Sequence, residues 1–454
     1  MRDQMCNSEA ELPPWYEFVA EGWEVQKVKS HFYSEKKMNL GRTEQTILSL
    51  TLRGVVVNNP DSPEGLVPKD YGTYQLFEID DLVFKLIDLE NVQTSRVGHV
   101  MRRGAMSPAY LRLRPRGSVW PRYAYWQFMD LYNRRVFNNL GGGVRATMSA
   151  GVLLDMPFLV PSLPNQVSIA RFLDHAELCI ARAIAAKQKL IALLNEQRSC
   201  IIDSLVLSGL DSHVKTVDSG SAWMGQIPAH WEVVSSKSLF AHRKERSRPG
   251  DEMLTASQSR GILKRDEFMA LEGRRVMQVL VGSDILKHVE PNDFVISMRS
   301  FQGGLEWSRV SGCISSAYVM LIPEPKVHCE YFALLLKTKA YVSALRTTSD
   351  LVRDGQALRY ANFCQLQLPL PPLDDQRRIA THVAEAVANV ERSIAPVLSE
   401  IALLKEYRTR LIADAVTGKL DVREEAALLP EIIPMDSKTD PVAENGEEET
   451  TDDD

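Results

Sequence analysis

Between residues 96 and 145 the chain carries ten arginines and a single acid, Asp130. A second basic cluster reads His242-Arg243-Lys244-Glu245-Arg246-Ser247-Arg248. Guanidinium and ammonium groups gathered in this way neutralise phosphate, and the planar arginine fork also fits the guanine edge. The formal net charge of −6 points the other way until its distribution is read. From Asp421 onward thirteen acidic residues stand against Arg423 and Lys438, so that stretch holds −11 and the remaining chain +5. Patches, not whole-chain charge, are the footprint of phosphate binding. A charge run can equally be a solvated face, so the clusters carry weight only with elements that present them.

Other chemistries lack their residues. An adenine methyltransferase needs a glycine-rich cofactor loop and an Asn/Asp-Pro-Pro-aromatic motif. The nearest stretches are Asn59-Pro60-Asp61 and Gly141-Gly142-Gly143, and the glycine run follows no clear strand. No GxxxxGK[ST] phosphate loop is present, which argues against ATP-driven translocation by this chain. Asp80-Asp81 falls at a strand start and Asp374-Asp375 at a helix cap, not in a nuclease-type carboxylate cluster. Nine histidines form no HExxH, and six cysteines form no CxxC or metal-ligand spacing. They read as free thiols of a reducing compartment. No apolar run approaches the ~20 residues that cross a bilayer, and the polar, acidic N-terminus is not a signal peptide. The expectation is a cytoplasmic binding protein with no cofactor and no metal.

The elements that must position the basic clusters come twice. Gly22-Trp23-Glu24-Val25 returns as His230-Trp231-Glu232-Val233, and Leu52-Arg53-Gly54-Val55-Val56 as Ser259-Arg260-Gly261-Ile262-Leu263. Ser107-Pro108-Ala109-Tyr110 returns as Ser315-Ser316-Ala317-Tyr318. Pro161-Ser162-Leu163-Pro164-Asn165-Gln166 returns as Pro371-Pro372-Leu373-Asp374-Asp375-Gln376. The order is collinear, and each copy is long enough to be a domain with a tail. The first part of each copy mixes short apolar runs with Gly and Pro punctuation. Leu82–Ile87 and Phe294–Met298 read as strands, Tyr331–Leu336 as a helix start and Phe301-Gln302-Gly303-Gly304 as a loop.

The second part of each copy is a long helix. Apolar side chains recur in steps of three and four from Ile169 to Leu205 and from Ile379 to Ala415, one stripe on a helix. Asn165 and Asp374 read as N-caps, Gly209 and Gly418 as stops. A rod of roughly 60 Å results at ~1.5 Å per residue. Its stripe needs a partner, and the other long helix is the obvious one. Pro396 predicts a kink or break near residue 392 of the second helix. Beyond Leu420 the acidic tail has no periodicity and reads as disordered.

Four stretches now resemble the specificity subunits of type I restriction-modification systems. Ile227-Pro228-Ala229-His230-Trp231-Glu232-Val233 looks like the opening of a target-recognition domain, and Asn292–Arg299 with Ser315–Tyr318 follows it. Leu368–Ala380 looks like the start of the family's long helix and Leu411–Asp421 like its exit. The resemblance spans about residues 12–423 and is fainter in the first copy, where Gly22 replaces the histidine. It implies an α/β (α+β) fold: two target-recognition domains in tandem, with two long helices forming an antiparallel coiled coil. The expected boundaries are 12–160 and 220–370 for the domains, 161–212 and 371–421 for the helices, and 422–454 for the tail.

The resemblance further implies a non-catalytic subunit that reads a bipartite double-stranded DNA site. Two methyltransferase subunits and the restriction/translocase subunits would be its partners, with no membrane. Candidate DNA contacts in the first copy are Arg53, Arg102, Arg103, Arg112, Arg114, Arg116 and Arg145. In the second they are Arg243, Lys244, Arg246, Arg248, Arg260, Lys264, Arg299, Gln302 and Arg353. Arginine suits guanine and phosphate, glutamine suits adenine. A type IIB-like or methylation-only assembly, and a duplicated protein-binding scaffold, stay open as alternatives.

Overall fold

The computed structural model describes residues 15–52, 54–58, 70–87, 89, 96–141, 147–258, 260–272, 285–297, 300–348 and 360–430. In the first copy, β1 (Glu24–Lys27), a single turn α1 (Val28–His31) and β2 (Phe32–Ser34) precede a hairpin, β3 (Ile47–Thr51) and β4 (Gly54–Asn58). Strands β5 (Gln75–Phe77), β6 (Leu82–Phe84), β7 (Val97–His99), β8 (Gly104–Met106) and β9 (Leu111–Pro115) follow. Helices α2 (Pro121–Asn133), α3 (Val136–Leu140) and α4 (Ala150–Asp155) and strand β10 (Pro157–Val160) lead to the long helix α5 (Leu163–Ser208).

The second copy begins with β11 (Thr216–Asp218), β12 (Gln226–Pro228), β13 (Glu232–Ser235) and β14 (Phe240–Arg243). Next come a hairpin, β15 (Leu254–Ser257) and β16 (Gly261–Lys264), then α6 (Arg265–Glu272), β17 (Lys287–Val289) and β18 (Phe294–Ile296). The turn α7 (Ser300–Gly303), β19 (Glu306–Trp307), β20 (Gly312–Ile314) and β21 (Val319–Pro323) follow. Helices α8 (Cys329–Leu335), α9 (Lys339–Thr347) and α10 (Tyr360–Cys364), strand β22 (Gln367–Leu370), the long helix α11 (Leu373–Val416) and α12 (Arg423–Leu428) complete the described residues.

The duplication is one of topology. Sheet order β2-β9-β6-β7 in the first copy is repeated as β14-β21-β18-β19 in the second. The pairs β1–β10, β3–β4 and β5–β8 have counterparts in β13–β22, β15–β16 and β17–β20. Strand alternation sends successive side chains to opposite faces. Leu82 and Phe84 of β6 join the core under the helices, with Phe32, Leu113, Tyr123 and Phe128. Val83 between them joins Leu48, Leu50, Phe77, Val100 and Met106 under the outer sheet. In the second copy Phe294 and Ile296 face the helices and Val295 faces Leu254, Ile262 and Met320. Both faces of the β2-β9-β6-β7 and β14-β21-β18-β19 sheets are therefore covered. The mixed α/β fold with two tandem globular parts and two long packed helices is as expected.

The stretch Phe301–Gly304, read from sequence as a loop, is helical to Gly303, and Ser300 accepts the Gly304 N–H at 2.8 Å. A Cβ on Gly304 would lie 2.1 Å from the Leu336 carbonyl oxygen, so this close backbone approach requires glycine.

The chain divides into two compact units, residues 1–188 with 398–454 and residues 189–397. These do not coincide with the sequence copies: each takes the first part of one long helix and the last part of the other. In the first unit Ile169, Ala170, Leu173 and Ile180 of α5 share a core with Leu411, Ile412, Ala415 and Val416 of α11. Glu177–Arg408 at 3.0 Å and Lys187–Glu400 cross between the helices, so the pair is antiparallel. In the second unit Val206 joins Ile379, Ala380 and Val383 in one core, and Arg198 faces Glu391 at 3.8 Å.

The helix ends explain two glycines. Gly209 and Gly418 close α5 and α11 at φ +77° and +74°, where a side chain is strained. A Cβ on Gly418 would lie 2.7 Å from Trp23 Cζ2, and one on Gly209 3.3 Å from Trp231 Cζ2. The duplicated tryptophan of each copy thus packs on the helix end supplied by the other. The starts differ from expectation: the first helical bonds are accepted by Ser162 and Pro372, from Gln166 and Gln376 at 3.0 Å. Asn165 and Asp374 therefore sit in the first turn, not at the N-cap. Pro396 does not break α11, which continues to Val416. Proline frees the Arg392 carbonyl, and both residues are exposed, so water can satisfy the acceptor. Among the described residues no helix is long and apolar enough to cross a membrane.

Candidate nucleic-acid interface

A repeated turn anchors the basic strands. In Glu78-Ile79-Asp80-Asp81 the Glu78 N–H donates to Asp81 Oδ2 at 2.7 Å, and in Glu290-Pro291-Asn292-Asp293 the Glu290 N–H donates to Asp293 Oδ2 at 2.9 Å. Asp80 and Asn292 hold φ at +70° and +74°, a region that Asp and Asn tolerate better than bulkier residues. Each aspartate, 1 % exposed, is then met by an arginine. In the first unit this is Arg112 of β9, whose Nε lies 2.5 Å from Asp81 Oδ2. In the second it is Arg243 of β14, whose fork binds both Asp293 oxygens at 2.7 and 3.0 Å. Burial pushes the Asp81 carboxyl up, while the Glu78 amide, Arg112 and Arg114 pull it down.

These contacts correct two expected DNA contacts. Arg112 is 1 % exposed, between Asp81 and the Phe77 ring, and cannot reach a ligand without unfolding the sheet around it. Arg243 is half-buried and engaged by Asp293 and Glu245. A charge buried with its partner is held there by the cost of leaving the partner uncompensated. Arg112 is enclosed in the fold, and Arg243 braces the repeated turn with part of its side chain still at the surface.

The remaining candidates of the first unit lie nearer the surface. Arg114 is 33 % exposed and reaches Glu35 and Asp81, each at 3.4 Å. Arg103 is half-exposed between Glu44 and Glu78, and Arg102 beside it is exposed. Arg116 is exposed and lies over the Tyr33 ring at 5.1 Å, an arrangement that keeps a guanidinium flat and available. Arg53 and Arg145 lie outside the described residues, as do Arg299 and Arg353.

In the second unit Lys244, Arg246, Arg248 and Arg260 are exposed. Arg248 is held by Glu245 and Glu290 at 2.6 Å each, contacts that raise its pKa. Lys264 pairs with Glu252 at 2.5 Å, which raises its pKa. Gln302 is exposed and accepts from Gln258 at the β15–β16 tip at 3.4 Å. Exposed ion pairs are weak and yield readily to phosphate.

The fold brings Gln302 and the β15–β16 tip together with residues the sequence reading missed. Lys337 Nζ donates to the Gln258 carbonyl at 3.3 Å and to Glu306 at 2.6 Å. Gly261 approaches the Trp307 carbonyl, and Ile262 bridges to Ser308. The next residue, Arg309, is exposed and stacks on Trp307 at 4.6 Å. Among the described residues no carboxylate pairs with it. An exposed guanidinium held flat by an indole can meet phosphate or a guanine edge, and paired amide side chains can meet adenine. The available signal was local: Trp307-Ser308-Arg309 follows a Gly-Gly turn.

No protein-family model matches the chain. Over 430 residues it is 20 % identical to a putative type I restriction enzyme specificity subunit, MjaX, of Methanocaldococcus jannaschii, covering 89 % of this chain and 95 % of that one. Among solved structures, a chain from work on complex assembly and conformational transition of the type I R-M system matches with a TM-score of 0.60. That match has 14 % identity and covers 88 % of this chain and 99 % of the other; at such identity it speaks for the fold.

Proposed function

The chain belongs to the specificity subunits of type I restriction-modification systems, and from that premise we propose that each copy's globular part reads one half of a bipartite DNA site. A specificity subunit is the non-catalytic member of its assembly and acts with methyltransferase and restriction subunits. Two methyltransferase subunits, one per copy, fit the duplication. The target-recognition parts are residues 12–160 and 220–370, and the helical parts, 161–212 and 371–421, set the gap between half-sites.

One observation carries the reading. Two copies of a single topology present different polar surfaces: Arg102, Arg103, Arg114 and Arg116 with Tyr33 in one, Gln258, Arg260, Gln302 and Arg309 with Trp307 in the other. A common framework with unlike surface side chains is what two unlike half-sites require, since phosphate contacts position and base-edge contacts specify. Arg53, Arg145, Arg299 and Arg353 join the proposal as candidates from sequence alone.

The test is sequencing of DNA methylated by the chain reconstituted with its methyltransferase partner. A motif in two blocks separated by a fixed gap is expected. A single contiguous motif, or methylation that ignores sequence, would overturn the proposal.

A further inference from the structure

Two buried glutamines join each globular part to the start of its long helix. Gln166 is 1 % exposed and Gln376 0 %. Gln166 Oε1 accepts the backbone N–H of Trp120, the residue capping α2, at 2.7 Å, and its Nε2 donates to the Pro161 carbonyl at 2.8 Å. Gln376 Oε1 accepts the backbone N–H of His328, the residue capping α8, at 2.8 Å. Its Nε2 donates to the carbonyls of Pro371 at 2.8 Å and Lys326 at 3.1 Å. The same residue type at the same place in both copies makes the same clip.

The chemistry of the clip is selective. Each amide uses its acceptor on one element and its donor on another, so it fixes the helix start, the preceding strand's exit and the domain helix at once. All its partners are backbone groups, so it does not depend on the side chain it holds; that side chain is Trp120 in one copy and His328 in the other. A buried amide with donor and acceptor both engaged is costly to replace, because every partner is then left unsatisfied.

We propose that Gln166 and Gln376 are positioning residues that fix the orientation of each reading part on its helix, and with it the spacer length the protein accepts. The inference rests on the reading of a bipartite site given above. A domain free to swivel on its helix start would keep its own base contacts and lose only its fixed relation to that helix.

The test uses the full chain reconstituted with its methyltransferase partner, and sequencing of the DNA it modifies. Gln376→Met and Gln166→Met keep side-chain bulk and remove every clip bond. Trp120→Pro removes the backbone donor to Gln166 together with a half-exposed indole, at a residue whose φ of −68° already suits proline, and Trp120→Ala, which removes the indole and keeps the N–H, is its control. Unchanged half-sites are expected, with sites one base pair longer or shorter now modified, and discrimination against them reduced by about tenfold. Variants that lose only thermal stability while keeping a strict spacer would make the clip merely structural and overturn the inference. Failure of the underlying reading is separate, because the unsubstituted complex would then show no two-block motif. Should Gln376→Met not fold, Trp120→Pro and Gln166→Met still decide the outcome for the first copy.

Discussion

Substituting Arg112 by methionine removes the guanidinium that closes on Asp81 at 2.5 Å and leaves a side chain of similar length in the sheet. Asp81 stays behind with 1 % exposure. Removing one partner of a buried ion pair costs about 3–5 kcal/mol, most of it the uncompensated charge that remains. Two contacts soften the loss: the Glu78 N–H at 2.7 Å and Arg114 Nε at 3.4 Å. The lower end, about 3 kcal/mol, is therefore the expectation. For a folding unit of this size that is roughly 6–12 °C in Tm, since each kcal/mol moves Tm by about 2–4 °C. Calorimetry would follow the transition of the unit holding residues 1–188. Adding Asp81→Leu should return most of the stability, to within about 1 kcal/mol of the original, because no buried charge is then unpaired. At a temperature where the single variant is folded, its affinity for target DNA should be unchanged. Unaltered Tm with lost DNA binding would refute the reasoning, since it would put Arg112 on the DNA and not in the core.

Arg309→Ala should weaken DNA binding about tenfold and flatten the slope of log affinity against log salt by about one, as loss of one phosphate contact does; a salt titration with labelled duplex measures both. Gly418→Ala places a Cβ 2.5 Å from Ala20 Cβ at φ +74° and should cost about 2 kcal/mol or more, beyond Gly209→Ala, whose nearest neighbour is at 3.3 Å; thermal melts of both variants compare them. His288 is 1 % exposed, with Nδ1 2.8 Å from Asp251 and Nε2 2.9 Å from Glu290. Burial lowers its pKa, but the hydrogen bonds its ring donates to Glu290 and Asp251 outweigh burial and nearby Arg248 and leave it raised. Its stabilising contribution is thus complete below about pH 6.5, the unfolded value, and is lost as pH rises through the higher folded value. The urea midpoint of the original chain should fall from about pH 6 to about pH 9 relative to that of His288→Gln; parallel curves would dismiss the effect.

What could be read from sequence was what is local. Steps of three and four along Ile169–Leu205 and Ile379–Ala415 define a helical stripe without reference to the rest of the chain, and Gly209 and Gly418 mark its ends. What the stripe packs on is long-range. The collinear copies suggested units that coincide with them, yet Gly418 belongs under Trp23 and Gly209 under Trp231, contacts that exchange helix ends between copies. Nothing in either segment alone encodes that exchange.

The arginines fail for a related reason, and here the second copy holds the missing signal. Leu111-Arg112-Leu113-Arg114 alternates as a half-buried strand does, which sends both arginines outward. In fact the outer sheet covers that face, so depth along the strand decides: Arg112 is enclosed, and Arg114 reaches the rim. The corresponding strand of the second copy reads Val319-Met320-Leu321-Ile322, and Met320 is fully buried where the first copy has Arg112. A charged residue aligned with a core methionine requires a buried partner, and the repeated aspartate supplies it. Asp81 and Asp293 occupy the same turn, but the arginine that answers has changed strand, from β9 in one copy to β14 in the other. Counting charge along the sequence therefore could not tell the enclosed Arg112, or the half-buried Arg243 engaged by Asp293, from arginines at the surface. The exposed Arg309 on the partly buried Trp307, with only one charge between them, was passed over because a single stacked guanidinium makes no cluster.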